Sequence, residues 1–185
     1  PTLPTPSPSH PLTLLTVSRL VERKGHIHVL NALAHLRGSG ELSNFIYHIV
    51  GEGPMEDSLR SMTDTLGLVS HIIFHGKVTD EERQRLYVES DVFIMPVSQD
   101  PVDKEGFGLV YIEAAASGLS SIATRVEGVD EAVIDGQTGI CSSLKRRDSS
   151  PMPFLPWQKM KSCDCSSHFR PVSTRKNSPA KARCL

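Results

Sequence analysis

The stretch HIIFHGKVTDEERQRLYVESDVFIMP, residues 71–96, sets two apolar runs on either side of a charged segment. HIIFHG (71–76) and DVFIMP (91–96) each read as a nearly continuous apolar strand, the second stopped by Pro96. Between them, Thr79-Asp80-Glu81-Glu82 has the spacing of a capping box, Thr79 at the N-cap and Glu82 three positions inside. The helix it opens carries Leu86 and ends near Ser90. Strands that alternate with helices, each a near-continuous apolar run, mean a parallel sheet covered on both faces.

The same alternation continues in both directions. Upstream, TLLTVS (13–18) reads as a strand, Gly25 to about Leu36 as a helix ended by Gly38 and Gly40, and FIYHIV (45–50) as a strand. GEGP follows, with Pro54 suited to the first position of a helix that runs to about Leu66. Downstream, a polar loop from Ser98 to Glu105 leads into a helix of roughly 108–117. A strand follows at 119–123, then a helical turn at Glu131–Ile134 and a DGQTG turn into Ile140-Cys141. The expected fold class is α/β: a Rossmann-like parallel sheet with helices on both faces. In such sheets ligands sit beyond the carboxyl ends of the strands, at the switch in strand order. The loops after the first four strands, 18–25, 51–54, 76–78 and 96–108, are therefore the place to look for function.

Those loops carry the chemistry. Arg19 and Lys24 follow the first strand and precede a helix, where free N–H groups and the helix dipole already favour an anion. A guanidinium fork and an ammonium point charge together suit a diphosphate. Gly51-x-Gly53 after the second strand is a tight strand-to-helix turn and not a full dinucleotide fingerprint, since Glu56 stands where the third glycine would be. Glu105-Gly106-Phe107-Gly108 brackets one aromatic residue with two glycines, which permits close backbone approach to a ligand. Glu105 and Glu113, the latter read as about two turns inside the helix, are carboxylates that accept hydrogen bonds from sugar hydroxyls. Ile112 and Ala114–Ala116 give Glu113 little polar company, so it needs a partner.

Composition narrows the class. The chain has 185 residues, with 20 Lys/Arg against 21 Asp/Glu, so no overall basic field invites nucleic acid. No apolar run reaches the roughly 18 residues of a membrane span, and no signal peptide is legible. Four Cys make no disulfide framework, which points to a reducing compartment and a cytoplasmic location. The eight His have no metal spacing; His26 and His28 point apart on a helix, and His48, His71 and His75 belong to strands as packed or hydrogen-bonded groups. Cys163-Asp-Cys165 with His168 fits no zinc ribbon, so neither a metal nor a cofactor is expected. The charge is uneven: residues 142–185 hold ten Lys/Arg and two Asp, with nine Ser and five Pro. The division is a Pro-rich lead-in (1–11), a folded body (12–141) and a basic Ser/Pro-rich tail (142–185) without helical period, expected to be disordered.

Five segments in this order, TVSRLVERKG, YHIVGEGPMEDSLR, IIFHGKVTDEERQRLYVESDVFIMP, EGFGLVYIEAAASGL and EGVDEAVIDGQTGI, resemble the C-terminal half of retaining GT-B glycosyltransferases of family 4. The resemblance spans about residues 12–141. It implies that Arg19 and Lys24 neutralise the diphosphate of a nucleotide-sugar donor. It implies that Glu105 meets hydroxyls of the transferred sugar, that backbone N–H groups of Gly106, Phe107, Gly108, Leu109 and Val110 touch sugar and phosphate, and that Glu113 holds the ribose. Lys77 and Val78 would lie beside the base, and Gly51 and Gly53 would line the donor cleft. The implied reaction is front-face sugar transfer from a GDP- or UDP-hexose with retention and without a metal; no Asp-x-Asp triplet is present.

The resemblance also has departures. Family members often read Gly-Gly where Glu127-Gly128 stands, and Pro-Val where Ser120-Ser121 stands. The acceptor, a saccharide or lipid, belongs to an N-terminal half that these residues do not include. Hence the isolated chain is expected to turn over no sugar, and peripheral membrane contact would come with a lipid acceptor. The alternative is a non-catalytic nucleotide-sugar-binding module, or a half-enzyme that pairs with a separate partner. A receiver-like or dinucleotide domain would need an acidic cluster at the strand ends or a complete glycine fingerprint, and has neither.

Overall fold

A computed structural model describes residues 10–98, 108–126, 128–129, 131–134 and 138–142. The proposed lead-in up to residue 9, Glu105–Phe107, Glu127 and the tail beyond Ser142, with its Cys163, Cys165 and His168, lie outside them.

Six strands, β1 (Leu12–Val17), β2 (Phe45–Val50), β3 (Ile72–Gly76), β4 (Val92–Met95), β5 (Ser120–Thr124) and β6 (Gly139–Ser142), form one parallel sheet in the order β3-β2-β1-β4-β5-β6. The helices are α1 (His26–Gly38), α2 (Glu56–Thr65), α3 (Asp80–Glu89) and α4 (Leu109–Ala116). Fold class and element order are as expected from the sequence, including the capping box: Thr79 accepts from the Glu82 N–H, and the Glu82 side chain accepts from the Thr79 N–H.

The central strands β1, β4 and β5 bury both faces, which is why their runs are continuously apolar, while β3 at the edge leaves Ile73 exposed. Leu12, Leu14, Tyr47 and Ile49 face one core with Val29, Leu30 and Leu33 of α1 and Leu59 of α2. Leu15, Val17, Phe93 and Met95 face the other with Leu86 and Tyr87 of α3 and Tyr111 and Ala114 of α4. Buried hydroxyls of the sheet are paired. The Thr16 hydroxyl meets the Tyr47 hydroxyl at 2.7 Å and the Ile94 carbonyl, and Thr124 donates to the Val97 carbonyl.

Three local expectations need correction. Pro54 is not the first helical residue: a turn closed by the Glu56 N–H on the Gly53 carbonyl (3.1 Å) precedes α2. A one-turn 3-10 helix, Glu22–Lys24, stands between β1 and α1, so Lys24 closes a turn of its own instead of hanging in a loop. Glu113 is the fifth residue of α4, one turn inside and not two. In each case the apolar period located the helix, while its first turn was set by loop hydrogen bonds to which the period is blind.

Candidate functional site

Because all strands are parallel, their carboxyl ends share one edge. The order reverses between β1 and β4, whose helices leave toward opposite faces; the crevice beyond these two ends is the switch point.

Glycines allow three loops to meet there. Gly25 has φ +74°, and a Cβ on it would stand 2.0 Å from the Pro96 carbonyl oxygen. Beside it, Ser98 N–H donates to the Arg23 carbonyl at 2.8 Å, which ties the β4 loop to the β1 loop. Gly51, at φ +126°, would place a Cβ 2.0 Å from the Ser18 carbonyl oxygen, and Gly53 one 2.4 Å from that of Leu20. Leu20 N–H donates to Glu52 and Met55 N–H to Leu20, and Gly51 N–H donates to the Gly76 carbonyl (2.8 Å). A register shift near the end of β2 sets Gly76 opposite Val50 and allows that last bond. The backbones that carry Arg19, Lys24, Gly51, Gly53 and Lys77 are thereby drawn together.

Their side chains differ in setting. Arg19 and Lys77 are exposed, whereas Lys24 is only 7% exposed. A buried ammonium at a loop end is not a solvated surface charge, and burial strengthens its pull on an anion. Val78 is half-buried and packs into the second core, so its side chain is a packing group.

Across the crevice, Gly108 (φ +57°) is the N-cap of α4. The N–H groups of Leu109 and Val110 lie in the first turn, where a helix supplies no acceptor of its own. Glu113 faces α3: Tyr87 donates its hydroxyl to Oε2 at 3.0 Å, and Arg83 Nε lies 3.8 Å from the same oxygen. The Glu113 side chain is 40% exposed, so solvent reaches it as well, contrary to the expectation of an apolar setting. Burial, together with the Glu113 carboxylate, holds the Tyr87 phenol above the usual tyrosine range and keeps it a donor. Arg83 and Tyr87 were not singled out from the sequence, although their i,i+4 spacing puts them on one face of α3. Glu105, Gly106 and Phe107 lie outside the described residues. Of the two departures, Ser120-Ser121 opens β5, at the amino end of the sheet and away from the crevice.

The histidines are packed, as expected from their positions. His48 Nδ1 and His75 Nε2 lie 2.7 Å apart with stacked rings, and His71 Nδ1 bonds the Phe45 carbonyl at 2.9 Å. Burial, and then the His75 charge, lowers His48 to about 4. His26, 2% exposed, is also lowered to about 4, mainly by burial, against a hydrogen bond to the Arg19 backbone that raises it, and further by the nearby Lys24 charge. The unfolded chain takes up these protons near pH 6.5 and the folded chain only near 4. Stability is therefore complete above pH 6.5 and falls as pH drops through that window, His26 alone accounting for about 3 kcal/mol. Denaturant unfolding at pH 7 and pH 4.5 checks this; equal stabilities would contradict it. Among the described residues, no group of three or more His, Cys, Asp or Glu could hold a metal ion, and no helix is long and apolar enough to cross a membrane.

A six-stranded parallel sheet of this order, with its order reversing between β1 and β4, defines a Rossmann-like domain. Residues 4–149 match the glycosyl transferases group 1 family, and the chain belongs to it. It is 38% identical over 128 residues to a GDP-mannose-dependent alpha-(1-6)-phosphatidylinositol monomannoside mannosyltransferase of Mycolicibacterium smegmatis, covering 68% of this chain and 33% of the relative. It is 31% identical over 137 residues to a putative colanic acid biosynthesis glycosyltransferase of Escherichia coli, covering 74% and 33%. The chain thus spans about a third of the length of these relatives. Among solved structures, the fold superposes on the GtfA/B complex with TM-score 0.70 at 22% identity, covering 89% of this chain and 33% of that one. It superposes on the pneumococcal O-GlcNAc transferase GtfA, crystallised with UDP and GlcNAc, with TM-score 0.65 at 23% identity, covering 90% and 30%.

Proposed function

We propose that this chain is the donor-binding half of a retaining, family 4 glycosyltransferase that takes a GDP- or UDP-hexose, with GDP-mannose the first candidate. The buried Lys24 beside Arg19 at the β1–β4 switch point carries this reading. The GDP-mannose dependence of the 38%-identical relative supports the choice of donor. In the reaction, the bond from the anomeric carbon to the diphosphate oxygen breaks and a bond to an acceptor hydroxyl oxygen forms on the same face. The acceptor proton passes to the departing diphosphate. Arg19 and Lys24 stabilise the charge that builds on that leaving group, with no metal. Glu105 would accept from hydroxyls of the sugar. Leu109 and Val110 N–H groups would donate to sugar and phosphate, and Gly106, Phe107 and Gly108 would allow the close approach. Lys77 and Val78 would lie beside the base. Glu113, fixed through Oε2 by Tyr87 and Arg83, would accept from the ribose with its other oxygen.

The acceptor, a saccharide or a lipid, would be held by an N-terminal half. This chain alone therefore binds donor without transferring sugar, in the cytoplasm and with membrane contact only through a lipid acceptor. Calorimetric titration of the chain with GDP and UDP is expected to give micromolar binding; silence with both would refute a donor site. Turnover of GDP-mannose by the chain with an acceptor would refute its inactivity alone. Glu113→Ala removes a charged acceptor and is expected to weaken nucleoside diphosphate binding about tenfold or more. An unchanged affinity would take Glu113 out of the site.

A further inference from the structure

His26 is the first residue of the 13-residue helix α1 and directly follows Gly25, which is pressed against Pro96. Its imidazole is buried, with Nε2 3.1 Å from the Ser18 hydroxyl. That hydroxyl also lies 3.2 Å from the Arg19 carbonyl, to which it can only donate. The His26 ring also donates to the Arg19 carbonyl directly, so the proton sits on Nε2, between Ser18 Oγ and that carbonyl, and the lone pair is on Nδ1. Nδ1 is the one buried side-chain nitrogen or oxygen without a hydrogen-bond partner among the described residues. A buried imidazole that leaves one nitrogen unsatisfied is costly, and leucine would fill the same space without that cost. A group retained at such cost has its use at its other nitrogen.

We infer that His26 is a positioning residue for the diphosphate site: the relay that His26 Nε2–H forms with Ser18 Oγ and the Arg19 carbonyl sets the peptide from which the Arg19 side chain departs. The relay clamps the two ends of the β1–α1 loop, one at the end of the strand and the other at the start of the helix. Arg19 and Lys24 both lie between these ends, so their spacing follows from the clamp. Leu20 anchors the middle of this loop in the first core and Ser98 ties Arg23 to the β4 loop; the His26 clamp adds the tie between the two ends of the loop. The inference rests on the donor-site reading above and adds a residue to it.

The test compares His26→Leu, His26→Gln and Ser18→Ala in the full chain, titrated with GDP and with guanosine. Glutamine keeps a donor near the Nε2 position; leucine keeps only volume. His26→Leu and Ser18→Ala are expected to lose about tenfold in GDP affinity with guanosine unchanged, and His26→Gln to stay within about threefold of the parent. A parent that binds neither ligand defeats the donor-site reading, and this inference with it. A parent that binds GDP while His26→Leu and Ser18→Ala bind it equally well defeats only the relay. Equal losses for GDP and guanosine, or a His26→Gln as poor as His26→Leu, would reduce His26 to a packing residue. Should His26→Leu fail to fold, Ser18→Ala removes the hydroxyl side of the same relay at a half-buried position: a GDP loss with guanosine unchanged supports the inference, and an unchanged GDP affinity overturns it.

Discussion

Lys24→Met is expected to lower the affinity for GDP or UDP roughly ten- to a hundredfold and to leave binding of the free nucleoside unchanged. The size follows from burial. Lys24 is only 7% exposed, so a phosphate meeting its charge interacts through a low effective dielectric. Methionine keeps most of the stem and removes the charge. Arg19→Ala should act in the same sense but by a smaller factor, since Arg19 is exposed and salt screens it within about 8 Å at physiological ionic strength. Calorimetry with nucleotide and nucleoside in parallel separates a phosphate contact from general damage to the fold. Equal losses for both ligands would contradict the phosphate role of either residue.

The second large effect is on stability. Gly51→Ala and Gly25→Ala each place a methyl group 2.0 Å from a backbone carbonyl oxygen, at φ +126° and +74°. Backbone cannot rotate aside as a flexible side chain can, so a loop must move. Each substitution is expected to cost about 4 kcal/mol, a large fraction of the stability of a domain. Gly38→Ala is the control: nothing lies within 4 Å of its added Cβ, and alanine favours the helix end it occupies. Denaturant unfolding should show that variant at or slightly above the parent. A Gly51→Ala protein as stable as the parent would mean that the β1 and β2 loops do not meet as described. Because the same contacts carry Arg19 and Lys24, either glycine variant should weaken nucleotide binding as well.

Element order, the parallel sheet and the capping box at Thr79 were legible from the chain alone. Each rests on a local signal: continuous apolar runs for strands buried on both faces, a 3.6-residue period, and the spacing of Thr79 and Glu82. The residue types of the candidate site were legible too, because cations at a strand end and a carboxylate among alanines are conspicuous in one dimension. What those residues touch was not. The sequence does not say that Lys24 is buried, that Glu113 is held by Tyr87 and Arg83, or that His26 reaches Ser18. Such pairs are eight to thirty residues apart: Glu113 meets Tyr87 and Arg83 because α3 and α4 pack on one face of the sheet, and Ser18 meets His26 across the β1–α1 loop, which lies where the sheet order reverses between β1 and β4. That reversal comes from packing helices on both faces of a twisted sheet, a property of the whole body that no window of sequence contains.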